Sequence, residues 1–406
     1  MTNDEQRTTT TNHVRSDQGL INVAIIGTGN ISPQHIEGYL AFPERCKIVA
    51  LVDIYPEKAA KKAEKYGLDV EIFDSHQALL DRPDIQLVSI CTPPYCHAEI
   101  AVDFLKSGQD VIVEKPMAAS LAECDRMIQA AEESKRVLSV VAQNRFRTPV
   151  MKLRQTLETG LLGKIRHVQV DSFWWRGHCY YDLWWRGTWE KEGGGCTLNH
   201  AVHHIDMLNW MMGELPTEIC AVLGNTAHDN AEVEDLSVAI LKYGQGTLAQ
   251  LTSSVVHHGE EQQLIFQGEK ARISAPWKLY ASQSKDNGFP ERDVAVETQI
   301  QAFYDGLPEV IYEGHTGQID NVLTAIETKT RPLSQGSDGK RALEVIAAIY
   351  KAGSTGLSVK LPLAKTDPFY TAAGTVTNAK HFYEKKTSIA NFKDEEISIG
   401  SNYKQS

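Results

Sequence analysis

Between about residues 21 and 143, short and almost wholly apolar runs alternate with segments whose apolar residues recur every three or four positions. Few folds accept that alternation. The runs are 22–27 (NVAIIG), 47–53 (KIVALVD), 86–91 (QLVSIC), 110–113 (DVIV) and 138–142 (LSVVA). Between them, 97–106 and 121–131 read as helices, the second opened by a capping box of Ser120 and Glu123. Strands that are apolar on both faces and joined by helices build a parallel sheet covered on both sides. The expected unit is an N-terminal doubly wound α/β domain of the Rossmann type over 21–147.

After Arg147-Thr148-Pro149 the texture changes. A helix over 150–158 ends at Gly160, and period-two runs follow at 165–175, 236–243, 247–256 and 261–267. Tyr243-Gly244-Gln245-Gly246 reads as a hairpin connection between two of them. This predicts a C-terminal α+β domain over 148–360 with a large, mostly antiparallel sheet for substrate binding and oligomerisation. Further helices are expected at 319–327 and 339–352. Residues 1–20, polar and with Thr8 to Thr11 in a row, read as a disordered lead-in rather than a signal peptide. Residues 361–406 read as an extended arm with isolated aromatics (Phe369, Tyr370, Phe382, Tyr383), lying on something such as a neighbouring subunit.

A chain of 406 residues has room for two such domains. Its formal net charge of −11 excludes a basic face for nucleic acid and gives no attraction to an anionic membrane. Its 7 cysteines include no CxxC pair, which fits a reducing, cytoplasmic setting better than a disulfide scaffold. A homo-oligomer, dimer or tetramer, is expected, because an antiparallel sheet with one open face usually covers it.

Gly27-Thr28-Gly29-Asn30-Ile31-Ser32 directly follows the first strand and precedes a helical segment. The first glycine allows the tight turn, and the second lets backbone N–H groups approach a pyrophosphate. Ser32 replaces the usual third glycine and is still small. Asp53 ends the second strand, at roughly the 20-residue separation of the dinucleotide fingerprint. There a carboxylate accepts the ribose hydroxyls and repels a 2′-phosphate, so NAD is expected over NADP. The plainer reading is that Asp53 only begins the turn to Pro56; strand, loop, helix and acid together favour the cofactor.

Three further segments extend the pattern: Cys91-Thr92-Pro93-Pro94 with His97, Glu114-Lys115-Pro116, and Gly193-Gly194-Gly195 leading into Asn199-x-x-x-His203-x-x-Asp206. With the glycine loop they make the chain, over about 21–360, resemble the glucose–fructose oxidoreductase and inositol dehydrogenase family. Gly336-x-x-Gly339-x-x-Ala342 is similar to that family's late helix, which packs back on the first domain. The resemblance implies cofactor contacts from Gly27, Gly29, Asn30, Ile31, Asp53, Thr92, Pro93, His97, Glu114, Lys115 and Asn144. It also implies that Lys115 touches the substrate hydroxyl and the nicotinamide ribose, and that His203 accepts the proton. Many members carry aspartate where this chain has Asn199. An amide can orient an imidazole but cannot match the charge of its cation, so Lys115 and His203 both stand as candidates for the base.

The chemistry asks for such groups. Oxidising a secondary alcohol removes the hydroxyl proton while the nicotinamide takes hydride; a lysine stabilises alkoxide charge and a histidine moves the proton. His200, His203 and His204 with Asp206 suggest a metal site, yet a cysteine pair and an HExxH motif are both missing and the family chemistry needs none, so no metal is expected. His200 and His204 have a plainer role as polar lining or packing. Residues 174–189 hold five of the 7 tryptophans (Trp174, Trp175, Trp184, Trp185, Trp189), interleaved with Arg176, Tyr180, Tyr181, Asp182 and Arg186. Flat rings beside charged hydrogen-bonders suit a sugar, although core packing accounts for some of them. Candidate substrate contacts are therefore Lys115, Arg176, Trp185, Arg186, Asn199, His200 and His203.

The expected function is hydride transfer between NAD and a secondary hydroxyl of a sugar, glycoside or cyclitol, for example the 3-hydroxyl of a glucoside or an inositol. One alternative is an enzyme that retains NAD and modifies a glycoside through a transient keto-sugar. Another is a non-catalytic NAD-sensing regulator, against which Lys115 and His203 argue, since a sensor needs neither.

Overall fold

The computed structural model describes residues 19–390 and 392. Its first sheet has six parallel strands: β1 (Ile21–Ile26), β2 (Cys46–Val52), β3 (Glu71–Phe73), β4 (Leu87–Ile90), β5 (Asp110–Val113) and β6 (Leu138–Val140). They lie in the order β3-β2-β1-β4-β5-β6, so the order reverses between β1 and β4, where such sheets bind ligands. The crossovers are α1 (Ser32–Leu40), α2 (Pro56–Tyr66), α3 (Pro94–Ser107) and α4 (Leu121–Ser134). Alternate β1 residues feed opposite faces: Val23 and Ile25 pack with Ile36 and Tyr39, Ala24 and Ile26 with Phe104 and Leu121. Strand β3 has no apolar run in the sequence, being a three-residue edge strand with two exposed residues. The capping box is shifted: Ser120 Oγ accepts from Glu123 N (3.3 Å), but the Glu123 carboxylate turns to Ala119 N (2.9 Å).

After α5 (Thr148–Glu158) the second sheet is built from β7 (Ile165–Phe173), β8 (Glu218–Gly224), β9 (Leu236–Lys242), β10 (Leu248–Ser254), β11 (Gln262–Gly268), β12 (Ala271–Ala275), β13 (Lys278–Ser284), β14 (Pro290–Arg292) and β15 (Val359–Lys360). The order is β14-β13-β12-β11-β7-β10-β9-β8-β15, antiparallel except between β7 and β10. Tyr243 N bonds Thr247 O (2.9 Å), closing the β9–β10 hairpin. Helices α6 (Cys196–Asn199), α7 (Val202–Met212), α8 (Val294–Gly306), α9 (Gly314–Thr328), α10 (Gly336–Thr355) and α11 (Ala372–Asn378) complete the chain. On the sheet's open face Val222 and Val238, paired across β8 and β9, are 72% and 42% exposed. No helix among the described residues is long and apolar enough to cross a membrane.

The segment after β15 lies on its own chain rather than reaching away from it. Lys380 O accepts from Trp189 Nε1 (3.2 Å), Glu232 O from Phe382 N (2.9 Å), and Ile389 bridges to Leu183. Phe369 and Tyr370 are buried, so these isolated aromatics are anchors. The lead-in expected at 1–20 falls outside the described residues except for 19 and 20, as does nearly all of the chain after 390.

Both late helices return to the first sheet. Helix α9 lays Ile319, Val322 and Leu323 into the core with β1 and α1, while Gly339 of α10 faces Val140 and Met117. The joint is polar. Arg145, just beyond β6 and 1% exposed, donates from Nε and Nη2 to the two oxygens of Asp206 on α7 (2.8 and 2.7 Å). Its Nη1 reaches Leu333 O (3.1 Å), and Asp338 in the first turn of α10 lies 3.4 Å from Nη2. Removing one partner of a buried pair leaves the other charge uncompensated. Arg145→Met is therefore expected to lower the unfolding free energy by about 3–5 kcal/mol in urea denaturation; a loss within experimental scatter of zero would mean the pair is not what holds the joint.

Candidate active site

Gly27 turns the chain at the end of β1 with φ +91°, and a Cβ there would stand 2.9 Å from the Cys91 carbonyl carbon, so only glycine fits. Thr28 donates from N and Oγ1 to Asp53 Oδ2 (2.9 and 2.7 Å), and Tyr55 N donates to Oδ1 (2.9 Å). Asp53 thus fixes the loop and still keeps lone pairs for a ribose. Ser32, fully buried, bonds Gly29 O through its hydroxyl (2.8 Å), while Gly29 and Asn30 are exposed with open space above Gly29. At the end of β4 the buried Thr92 Oγ1 has no partner among the described residues. An open helix N-terminus, an acid at the end of β2 and an orphaned hydroxyl fit a dinucleotide.

His97 and Glu114, expected at the cofactor, are engaged inside the protein. Helix α3 puts His97 on its buried face, where the ring nitrogens meet Pro116 O (3.0 Å) and Thr92 O (2.7 Å). Neither nitrogen is left for a cofactor; the ring instead ties the Thr92–Pro93 turn to the cis Lys115–Pro116 bond. Glu114 Oε1 meets Nε2 of both His35 (3.0 Å) and His315 (3.3 Å), and Oε2 accepts from Lys115 N (3.1 Å). Burial alone would raise this carboxyl, but the hydrogen bonds from His315 and His35 hold it well below the carboxylate range. Among the described residues this is the one trio close enough to share a metal ion. Nothing in the sequence pattern pointed to His35 or His315, which come together only across the α1–α9 contact.

Lys115 rises from this floor to meet the second sheet's helices. Its Nζ lies 3.5 Å from Asn199 O. Burial, then Arg186, lowers its pKa while Glu114 works against the shift. The loop before α6 packs tightly, since a Cβ on Gly195 would stand 1.9 Å from Glu234 O. Beneath it the Glu234 carboxylate accepts from Gly195 N (3.1 Å) and Thr197 N (2.9 Å). Asn199 does not orient His203: its Nδ2 is spent on Gly194 O (3.0 Å) and Gly195 O (3.2 Å), and it is its carbonyl that reaches Lys115. His203 is partly buried beside Lys115, and burial, then Lys115 and His204, push it well below its ordinary pKa. α6 ends before His200, α7 from Val202 carries His203 and His204, and the buried His204 is pushed down to about 4 by burial and Arg147. Asn144 and His203 line one small cavity with Lys115.

The tryptophan segment divides. Trp189 is core, packed edge-on against Tyr350, and Trp175 and Trp184 are exposed. Trp174 faces His200 at 5.6 Å between ring centroids, and Trp185 lies under the Arg186 guanidinium at 4.3 Å. Arg186 pairs with buried Glu192 (3.0 Å) and Arg176 with Glu260 (2.6 Å). These two acids were not singled out in the sequence; Glu192, directly before the triple glycine, was the more legible.

Two family descriptions match. Residues 21–142 match the oxidoreductase family with an NAD-binding Rossmann fold, and 150–274 match the C-terminal domain of the same GFO/IDH/MocA family. The chain belongs to the GFO/IDH/MocA family. It is an NAD-dependent oxidoreductase. It is 25% identical over 343 residues to the myo-inositol 2-dehydrogenase of Thermotoga maritima, covering 84% of this chain and 98% of that one. It is 26% identical over 282 residues to the 2,7-anhydro-N-acetylneuraminate hydratase of Mediterraneibacter gnavus, covering 69% and 73%. Among solved structures it is similar to the WlbA dehydrogenase of Chromobacterium violaceum in complex with NADH and UDP-GlcNAcA: TM-score 0.74, 27% identity, 86% and 98% covered.

Asp53 carries a prediction for the cofactor half of the site. Asp53→Ala is expected to weaken NADH binding by about tenfold or more, because charge-assisted bonds are lost, and to narrow the preference over NADPH. Fluorescence titration with both cofactors measures it; a wild type that prefers NADPH would contradict the assignment.

Proposed function

We propose that this GFO/IDH/MocA oxidoreductase acts on a secondary hydroxyl of a sugar, glycoside or cyclitol. The observation that carries the reading is the meeting of Lys115, from the end of the parallel sheet, with the Asn199–His203 element at one partly open cleft. Gly29, Asn30 and Ile31 would hold the pyrophosphate, Asp53 the adenosine ribose, and Thr92, Pro93 and Asn144 the nicotinamide end. Bound NAD supplies the hydride acceptor.

His203 is our choice for the base. Held neutral by burial and by the Lys115 charge, it has a free lone pair at neutral pH and takes the hydroxyl proton. Lys115 keeps the cation beside the oxygen as the O–H and C–H bonds break and the C=O bond forms. Trp185 and Trp174 offer faces to the sugar's C–H surface, and His200 and Arg176 offer hydrogen bonds at its rim. A second copy of the chain is the proposed cover for the Val222–Val238 face.

A second reading, retained NAD with a transient keto-sugar, is favoured by the likeness to a protein named as a hydratase. Absorbance at 340 nm separates the two: stoichiometric NADH release supports the dehydrogenase, and product without net NADH supports the other.

The residues should fail differently. Lys115→Met is expected to lower kcat by roughly 10²–10⁴ while NADH still binds. His203→Ala should cost a similar factor and abolish the acidic limb of the pH–rate profile. Because the His203 pKa is depressed, the wild-type rate should stay level as pH falls through about 6.5 and drop only below it. If His203→Ala keeps both the rate and the acidic limb, Lys115 is the base.

A further inference from the structure

We infer that the sugar this site takes is an acid, a ring whose carboxylate is received by Arg186 with Arg176 beside it; the inference rests on the dehydrogenase reading above. Two guanidiniums approach the ring of Tyr180, Arg186 at 4.1 Å and Arg176 at 5.7 Å from its centroid. Arg186 also bonds the Tyr180 hydroxyl and lies over Trp185, while Arg176 lies over Trp174 at 5.5 Å. Buried carboxylates clamp both, Glu192 at 1% and Glu260 at 5% side-chain exposure. Stacking rings and neutral hydrogen-bonders suffice for a neutral sugar. Two arginines fixed in this way, with side chains 19% and 20% exposed, present planar guanidiniums suited to a carboxylate.

Unmatched buried atoms point the same way. Arg186 Nε is buried and has no acceptor among the described residues, and His200 Nδ1 is buried without a partner among them. Leaving such an atom unmatched costs about 1–3 kcal/mol, so the protein alone leaves this corner incomplete. Arg176, Arg186 and Lys115 all lie near enough to His200 to add, after burial, to the lowering of its pKa. A carboxylate presents two oxygens in a plane and accepts side-on from a guanidinium, and Nε is the guanidinium nitrogen here that has no acceptor among the described residues. The carboxylate takes no part in the bond changes; it fixes which ring carbon faces the nicotinamide, while the carbinol gives its hydride to NAD and its proton to His203.

The test titrates the protein saturated with NADH, following tryptophan fluorescence and calorimetric heat. Three probes, D-glucuronate, D-galacturonate and D-mannuronate, are each set against the parent hexose, with glucose 6-phosphate as a further arm. At least one uronate is expected to bind about tenfold or more tighter than its hexose. That margin should shrink as salt is added, and Arg186→Met, which should still bind NADH, should bring the ratio near one. The wild-type ratio stands as a test even if that variant does not fold. The inference is overturned if every hexose binds as well as its uronate, if none of the uronates binds, or if glucose 6-phosphate binds and no uronate does. Hexoses that are oxidised without any uronate preference would remove the acid site and leave the dehydrogenase standing. A uronate that binds strongly while no sugar in the panel reduces NAD would retain the acid site and remove the dehydrogenase reading.

Discussion

The ion pair of Arg145 with Asp206 joins two units that each carry half of the site. Lys115 and the glycine loop belong to the parallel sheet, and His203 stands one turn before Asp206 on α7. A bidentate bond to Asp206 therefore sets the rotation of that helix as well as its distance from the sheet. Asp338, bonding Gln335 N (2.9 Å) in the capping box of α10, brings a third element to the same guanidinium. Buried charge is a poor way to gain stability but a stringent way to fix geometry, because a pair displaced from its bonding distances loses most of what offsets its desolvation.

Around this joint, burial acts with opposite results on neighbouring groups. Glu114 is fully ionised because two imidazoles donate to it, whereas His203 is kept neutral because its surroundings are positive and dry. Lys115 sits between them, lowered by burial and restrained by Glu114 beneath. Titratable groups driven apart in this manner divide the work of proton transfer and charge stabilisation. Burial also raises Glu192, yet its bonds to Arg186 and to Gly187 N resist the shift, so the acid serves as a clamp for the arginine.

Much of the first domain was readable, because a parallel strand buried on both faces has no polar alternation to confuse it and a glycine loop has one geometry. The strand-turn-helix context of Gly27–Ser32, the acid at Asp53 and the adjacency of Lys115 to a strand end all follow from that regularity. Edge strand β3 was not readable, since an exposed three-residue strand needs no apolar run. Side-chain partnerships over long range were the harder part. His315 reaches Glu114 from 201 positions away and Arg145 reaches Asp206 from 61, and local spacing contains no trace of either. The internal partners of Asn199, His97 and Glu114 were hidden for the same reason: their polar groups suit a ligand, and the fold also engages them with its own backbone and with His35 and His315.

The central claim is that one substrate oxygen lies between Lys115 and His203, brought there from the two sheets. A crystal structure of the protein with NADH and a bound sugar measures this directly. The account requires one sugar hydroxyl within about 3.2 Å of both Lys115 Nζ and a His203 ring nitrogen, with its carbon facing the nicotinamide. A sugar seated on the tryptophan segment whose nearest oxygen touches neither residue would contradict it.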